Sequence, residues 1–338
     1  MLSLELLWPI LVALAPVCLF LVALVYLDSY KLVSLRRILL VALFGGLMAL
    51  AAYGISLVLL EVQLHRLVLG RLVGPLIEEF LKGVLIVALI RRRRVGFLVD
   101  TAIQGFAIGA GFALVENLYY LGTLSEPSLA VWLVRGFGTA LMHGGATAIF
   151  AIVSKGLTQG VSTPPLRAFI PGFLLAAIIH AVFNNFLLSP LLSTLLVVVT
   201  LPYLMSYFFH RSERRLQDWL GSGFDMNNEV LRLINSGEFT HSPIGLYLGS
   251  LRQFYPGEVL VDMLCYLRLH TELSLRAKGI LIMKESGFAV KRDPEVVESL
   301  TELRHLESSI GKTAMSSLTP ILRGSEQDLW QLEILADG

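Results

Sequence analysis

The sequence predicts an all-α fold: a polytopic membrane helix bundle of about seven spans, followed by a C-terminal helical cytoplasmic domain. Three observations carry this. Of 338 residues, 55% are hydrophobic and only 16% charged, with a mean hydropathy of +0.71, far more apolar than an ordinary soluble domain. The apolar residues lie mostly before Phe209, whereas Arg, Glu, Asp and Ser return to globular frequency from His210 onward. The apolar part is broken into runs of roughly span length, with basic residues gathered in alternate connections. A transmembrane domain over 1–209 and a cytoplasmic helical domain over 210–338 follow.

The first run, 6–27, follows Met1-Leu2-Ser3-Leu4-Glu5, which lacks a basic leader and so predicts a retained helix rather than a cleaved signal. Further runs occupy 38–60, 72–90, 97–119, 131–153, 168–188 and 190–209. The stretch from Ala168 to Phe209 is too long for one span, and Pro190 lacks a backbone donor, so a helical hairpin turning at Ser189-Pro190 is expected. Gly105, Gly109, Gly111 and Ala113 in the fourth run, with Gly136, Gly138, Gly144 and Gly145 in the fifth, allow close helix approach in lipid and make those spans central.

Basic residues set the direction. Lys31, Arg36 and Arg37, then Arg91 to Arg94, then Lys155 and Arg167, then Arg211, Arg214 and Arg215 fall in alternate connections. Lys and Arg collect on the cytoplasmic side, which predicts an outside N-terminus and a cytoplasmic tail. The four-arginine run reads as a topology anchor. A net charge of +1 gives no argument for nucleic acid, so membrane lipid is the surrounding partner. Cys18 and Cys265 fall in different phases, and no disulfide framework is implied.

The tail reads as helical. Asp225 precedes an apolar-periodic run stopped by Gly237; Ser242-Pro243 and Asp293-Pro294 each look like an N-cap with proline at the first helical position; Ser325 opens a last short helix before Leu329, Trp330 and Leu332. Val259, Met263, Tyr266 and Leu267, and Leu300, Leu303, Leu306 and Ile310, read as core stripes. No chemistry is assigned to this part.

Ionisable residues inside the apolar runs are the candidates for function. Each costs roughly 2.5 to 3.5 kcal/mol near a helix centre unless compensated. The third run carries Glu78, Glu79 and Lys82, with Lys82 able to reach either carboxylate at i,i+4 or i,i+3. Glu116 follows Phe112 by one turn in the fourth, His143 lies in the fifth, and His180 and Asn184 share one face of the sixth. The predicted helix directions put Glu78, Glu116 and His180 in the outer half of the bilayer, with His143 within one or two turns. A purely structural network of this size is a costly way to hold helices together.

Two His and a carboxylate around a metal, with a further glutamate as base, form a hydrolytic zinc arrangement. His143, His180 and Glu116 fit as ligands, Glu78 as the base, Glu79 as an orienting group or partner of Lys82, and Asn184 as oxyanion donor or holder of the His180 tautomer. A metal-free arrangement, in which Glu78 and Glu116 polarise water while His180 and Asn184 face the carbonyl, is equally compatible with the spacing.

Glu78-Glu79-x-x-Lys82, Phe112-x-x-x-Glu116-Asn117-x-x-Tyr120, His143 and His180-x-x-x-Asn184, in that order on successive spans, resemble the PrsW family of intramembrane proteases, related to the CAAX prenyl proteases and bacteriocin-processing enzymes. The resemblance covers spans three to six. It implies that Glu78, Glu79, Glu116 and His180 are catalytic or metal-binding, with His143 a further member, and that the substrate is a single-span membrane protein such as an anti-sigma factor, in a bacterial or archaeal cell membrane. The CAAX branch has histidine at the place of Glu116 and a longer spacing to arginine at the place of Lys82, so its metal-free mechanism does not carry over unchanged. Two other readings use the same residues: an ion- or proton-coupled carrier, against which stands the absence of an evident inverted repeat, and a non-catalytic scaffold whose tail binds a partner.

Overall fold

A computed structural model describes residues 4–61, 65–124, 128–159, 161, 164–185, 187–288, 293–318 and 320–322. The chain divides into two compact units, Met1–Ser212 and Glu213–Gly338. No strand occurs among the described residues.

The first unit is a helical membrane bundle. Its helices are α1 (Leu4–Tyr26), α2 (Leu35–Glu61), the short α3 (Arg66–Val68) running through a π-helical turn (Leu69–Val73) into α4 (Gly74–Arg91), α5 (Leu98–Thr123), and the short α6 (Leu129–Leu133) running through a second π-helical turn (Val134–Thr139) into α7 (Ala140–Thr158). A 3₁₀ turn (Leu166–Phe169) then leads into α8 (Ile170–Asn184), and α9 (Pro190–Ser236) follows. Among the described residues, six helical stretches are long and apolar enough to cross a membrane: Trp8–Tyr26, Leu35–Glu61, Leu98–Thr123, Leu129–Thr158, Leu166–Asn184 and Pro190–Ser236. The third of the seven expected runs does not qualify. α4 carries too many charges for an apolar span, namely Glu78, Glu79, Lys82 and Arg91, yet it packs against α2, α7 and α8.

α5 is the axis of the bundle, buried almost continuously from Val99 to Ala113. It packs most extensively on α7 and α2, and glycine makes both approaches feasible. A Cβ on Gly109 would drive into the His143 carbonyl, and one on Gly111 into the Ala42 carbonyl.

One boundary differs from expectation. α9 does not end near Phe209 but continues to Ser236, so Asp225 lies inside a helix instead of opening one. The Arg211–Arg215 stretch has no helix breaker, and an amphipathic pattern takes over from an all-round apolar one without a turn between them. The expected stop does occur: Gly237 has φ 78, a left-handed conformation favourable for glycine at a helix end.

In the second unit, α10 (Pro243–Ser250) is capped by Ser242, whose hydroxyl accepts from the Gly245 N–H. α11 (Gly257–Glu285) packs on α12 (Pro294–Leu318), which is kinked at Gly311. Asp293 accepts from the Glu295 N–H at the start of α12. Met263, Tyr266, Leu267, Leu300, Leu303 and Ile310 interlock in one core, with Val259 and Leu306 at its margin. The helix expected from Ser325 lies outside the described residues.

Candidate active site

The polar side chains of α4, α5, α7 and α8 meet near one end of the bundle. Glu79 and Lys82, one turn apart on α4, are completely buried and ion-paired. Lys82 Nζ lies 3.1 Å from His143 Nδ1 and 4.6 Å from the centre of the Phe112 ring. His143 Nε2 lies 2.9 Å from Glu116 Oε2. On the other side, His180 Nδ1 lies 2.9 Å from Glu79 Oε1, and His180 Nε2 lies 3.7 Å from Glu78 Oε2. The two imidazoles meet edge to face, 4.6 Å between centres. One chain of contacts therefore runs Glu116, His143, Lys82, Glu79, His180, Glu78.

Protons follow from donor capacity. A lysine ammonium only donates, so His143 Nδ1 accepts from Lys82 and His143 Nε2–H donates to Glu116. A carboxylate only accepts, so His180 Nδ1–H donates to Glu79, and His180 Nε2 faces Glu78 at 3.7 Å, beyond hydrogen-bond distance. A carboxylate on one ring nitrogen with the other nitrogen open is how a metal-binding imidazole is oriented.

A donor atom from each of Glu78, His143 and His180 lies within 4.8 Å of the others. Glu78 Oε2 and Glu79 Oε2 are buried with no hydrogen-bond partner. Unsatisfied carboxylate oxygens beside an open imidazole nitrogen are costly unless something further is bound there. Two nitrogens and an oxygen are also a fitting donor set for a zinc-type ion. The expected trio was Glu116, His143 and His180; Glu116 also stands beside this group, 2.9 Å from His143 Nε2 and with Oε1 3.4 Å from Arg135 Nη2.

Asn184 also departs from expectation. It donates to the Gly70 carbonyl at 3.2 Å, not to His180, and Asn185 donates to the Arg71 carbonyl at 3.1 Å. Both carbonyls belong to the π-helical turn before α4, so the end of α8 is fastened to the segment that aims Glu78 and Glu79. Lys82 bonds Glu79; of the two carboxylates it was expected to reach, Glu78 is left facing His180.

Sequence reasoning missed Arg135. Its Nε donates to Asn117 Oδ1 at 3.0 Å, its guanidinium lies 3.6 Å from the Tyr120 ring centre, and Asn117 Nδ2 donates to the Ala13 carbonyl at 2.7 Å. An arginine within the fifth apolar run was the available signal. Arg135 lies in the second π-helical turn, so each of the two π turns directly precedes a helix that supplies site residues. Such turns often mark functional sites.

Residues 34–208 match the model of a family described as PrsW family intramembrane metalloprotease, covering 175 of the 338 residues and every residue of the polar cluster. No curated protein and no solved structure matches the chain.

Proposed function

From the premise that this chain belongs to the PrsW family of intramembrane metalloproteases, we propose that it cleaves a single-span membrane protein near the outer membrane face, using a glutamate-activated water and a zinc ion. The observation that carries this reading is the buried chain from Glu116 to Glu78, in which carboxylate oxygens and one imidazole nitrogen are left unspent. An integral membrane protease acts on membrane-protein substrates in lipid. The alternating Lys and Arg clusters support an outside N-terminus and a cytoplasmic C-terminus, which puts the cluster in the outer half of the membrane. An anti-sigma factor is a substrate type compatible with that placement.

Glu78, His143 and His180 hold the ion in this reading, and Glu79 fixes His180. His143 has both nitrogens engaged, so to hold the ion it would have to give up its contact with Lys82 or Glu116. When bound, zinc polarises a carbonyl and lowers the pKa of water. Glu116, a quarter exposed and held by Arg135, is the general base. It takes a proton from water as the new C–O bond forms, and returns it to the leaving nitrogen as the C–N bond breaks. Lys82 pairs with Glu79, which also accepts from His180.

The test is zinc content together with cleavage in proteoliposomes. Purified wild type is expected to carry stoichiometric zinc that His180→Ala loses, and Glu78→Gln is expected to lose both zinc and cleavage of a single-span substrate. Active enzyme without metal would exclude the metal mechanism; undiminished cleavage by Glu78→Gln would overturn the assignment of the site.

A further inference from the structure

Beside the polar cluster lies a cavity of about 540 Å³, walled in part by α2 and α5. Around Gly45 and Gly111 the two helices touch backbone to backbone, so that a Cβ at either glycine would strike a carbonyl. Further along, Ala49 and Ala52 of α2 pack with Phe112 of α5, and the Tyr53 and Tyr119 rings lie 5.0 Å apart. The opening is bounded by Ala52, Tyr53 and Ser56 of α2, by Tyr119 and Tyr120 of α5, and by the segment that runs through the first π-helical turn. Glu78 and Glu116 both line it, so the cavity ends at the polar cluster.

Its walls are mostly apolar and aromatic, and its lining contains three charged residues: the two site glutamates and Arg66. Arg66 is exposed, and its side chain has no hydrogen bond or ion pair among the described residues. It stands at the start of α3, twelve residues before Glu78 along a helical stretch broken by no turn, which separates them by about 18 Å at 1.5 Å per residue. An extended peptide advances about 3.3 Å per residue, so a chain lying along this wall would present its fifth residue or so to Arg66 when its scissile bond lies beside Glu78.

Resting on the protease reading, we infer that this cavity is the cleft for an unwound stretch of the substrate, and that Arg66 selects a substrate carrying an acidic side chain about five residues from the cleaved bond. An extended occupant is required because a helix, about 10 Å across with its side chains, hides its backbone carbonyls from the carboxylates. The aromatic walls accept apolar side chains with little discrimination, whereas an unpartnered arginine at the mouth pairs best with a carboxylate. Gly70, on the same wall, keeps the passage open: a Cβ there would meet nothing within 4 Å.

The test uses purified full-length protein in proteoliposomes with a library of single-span reporters, each followed by a short randomised segment, and reads cleavage sites by mass spectrometry. Wild type is expected to enrich Asp and Glu at one fixed distance from the cut, and Arg66→Glu to replace them with Lys and Arg at that distance, a preference of about fivefold in each direction. Gly70→Phe is expected to lower cleavage of all reporters about tenfold without lowering thermal stability, while Leu43→Phe, at an exposed position on α2, leaves cleavage unchanged. Glu78-dependent fragments with no acidic signature, or a signature unmoved by Arg66→Glu, would overturn the proposal alone. No Glu78-dependent fragment at all would overturn the protease reading and this proposal with it.

Discussion

Two clusters of acids lie towards opposite ends of α5, and they differ in what their oxygens do. At the start of α5, Asp100 accepts from the backbone N–H groups of Gly96, Phe97 and Thr101 at 2.8 to 2.9 Å, and Asp28 accepts from the Leu32 N–H at 2.6 Å. These carboxylates cap chain ends and have found their donors locally. Some sixteen residues further along α5, about 24 Å, Glu116 faces His143 and Arg135, while Glu78 and Glu79 each keep an oxygen with no partner. Asp28 and Asp100 are buried, whereas Glu78 and Glu116 are 22% and 26% exposed. What also separates them is whether satisfaction comes from neighbouring backbone or from side chains of other helices with capacity to spare; the first arrangement holds a fold, and the second can exchange its partners for water, metal or substrate.

Three substitutions sharpen that contrast. The largest effect is expected at Glu116→Gln, which keeps shape but removes the proposed base: cleavage should fall by about 10² to 10⁴ while thermal stability changes little. Turnover within a few-fold of wild type would place Glu116 with the structural acids. Asp100→Asn should do the reverse. The amide can accept from one side only and leaves a backbone N–H without an acceptor, a loss of about 1 to 3 kcal/mol in stability, with cleavage per folded molecule unaltered. Denaturation and specific activity measured on the same preparation would distinguish the two acids.

The smallest effect concerns Asp28, in the connection between α1 and α2. Burial pushes its carboxyl up from 3.8 to about 7; the Leu32 N–H opposes the rise and the nearby Asp100 adds to it. The folded state therefore keeps a proton that the unfolded chain releases near pH 4, so stability contributed here is full below that pH and is lost as pH rises towards 7. Asp28→Asn should be more stable than wild type above pH 7, with the advantage vanishing towards pH 4. Parallel melting profiles for the two proteins across that range would show that Asp28 releases its proton alike in both states.

Much of this architecture was legible in the sequence because its determinants are local. Apolar runs of span length specify helices whatever their neighbours, Ser242-Pro243 and Asp293-Pro294 carry their own caps, and Gly237 stops α9 through its own backbone. The family motif was equally local, since Glu78, Glu79, Glu116, His143 and His180 stand out as ionisable groups against an apolar background. The length of α9 was not legible: the change from lipid-facing to amphipathic pattern looked like a boundary, although nothing in that stretch breaks a helix.

By itself, then, the sequence determined which residues must be compensated, because the cost of charge in an apolar span depends on residue type and depth. Only the tertiary structure decided by what. Lys82 lies within reach of both glutamates along the helix, and the rotation of α4 against α7 and α8 pairs it with Glu79 and leaves Glu78 facing His180. Asn184 shares a helix face with His180, yet the π-helical turn before α4 presents the Gly70 carbonyl and takes it. Arg135 gains its bearing on Glu116 from a second π turn that no spacing rule announces. Periodicity places a side chain on a helix face, but a choice among partners on other helices turns on rotations and backbone irregularities set when the helices pack.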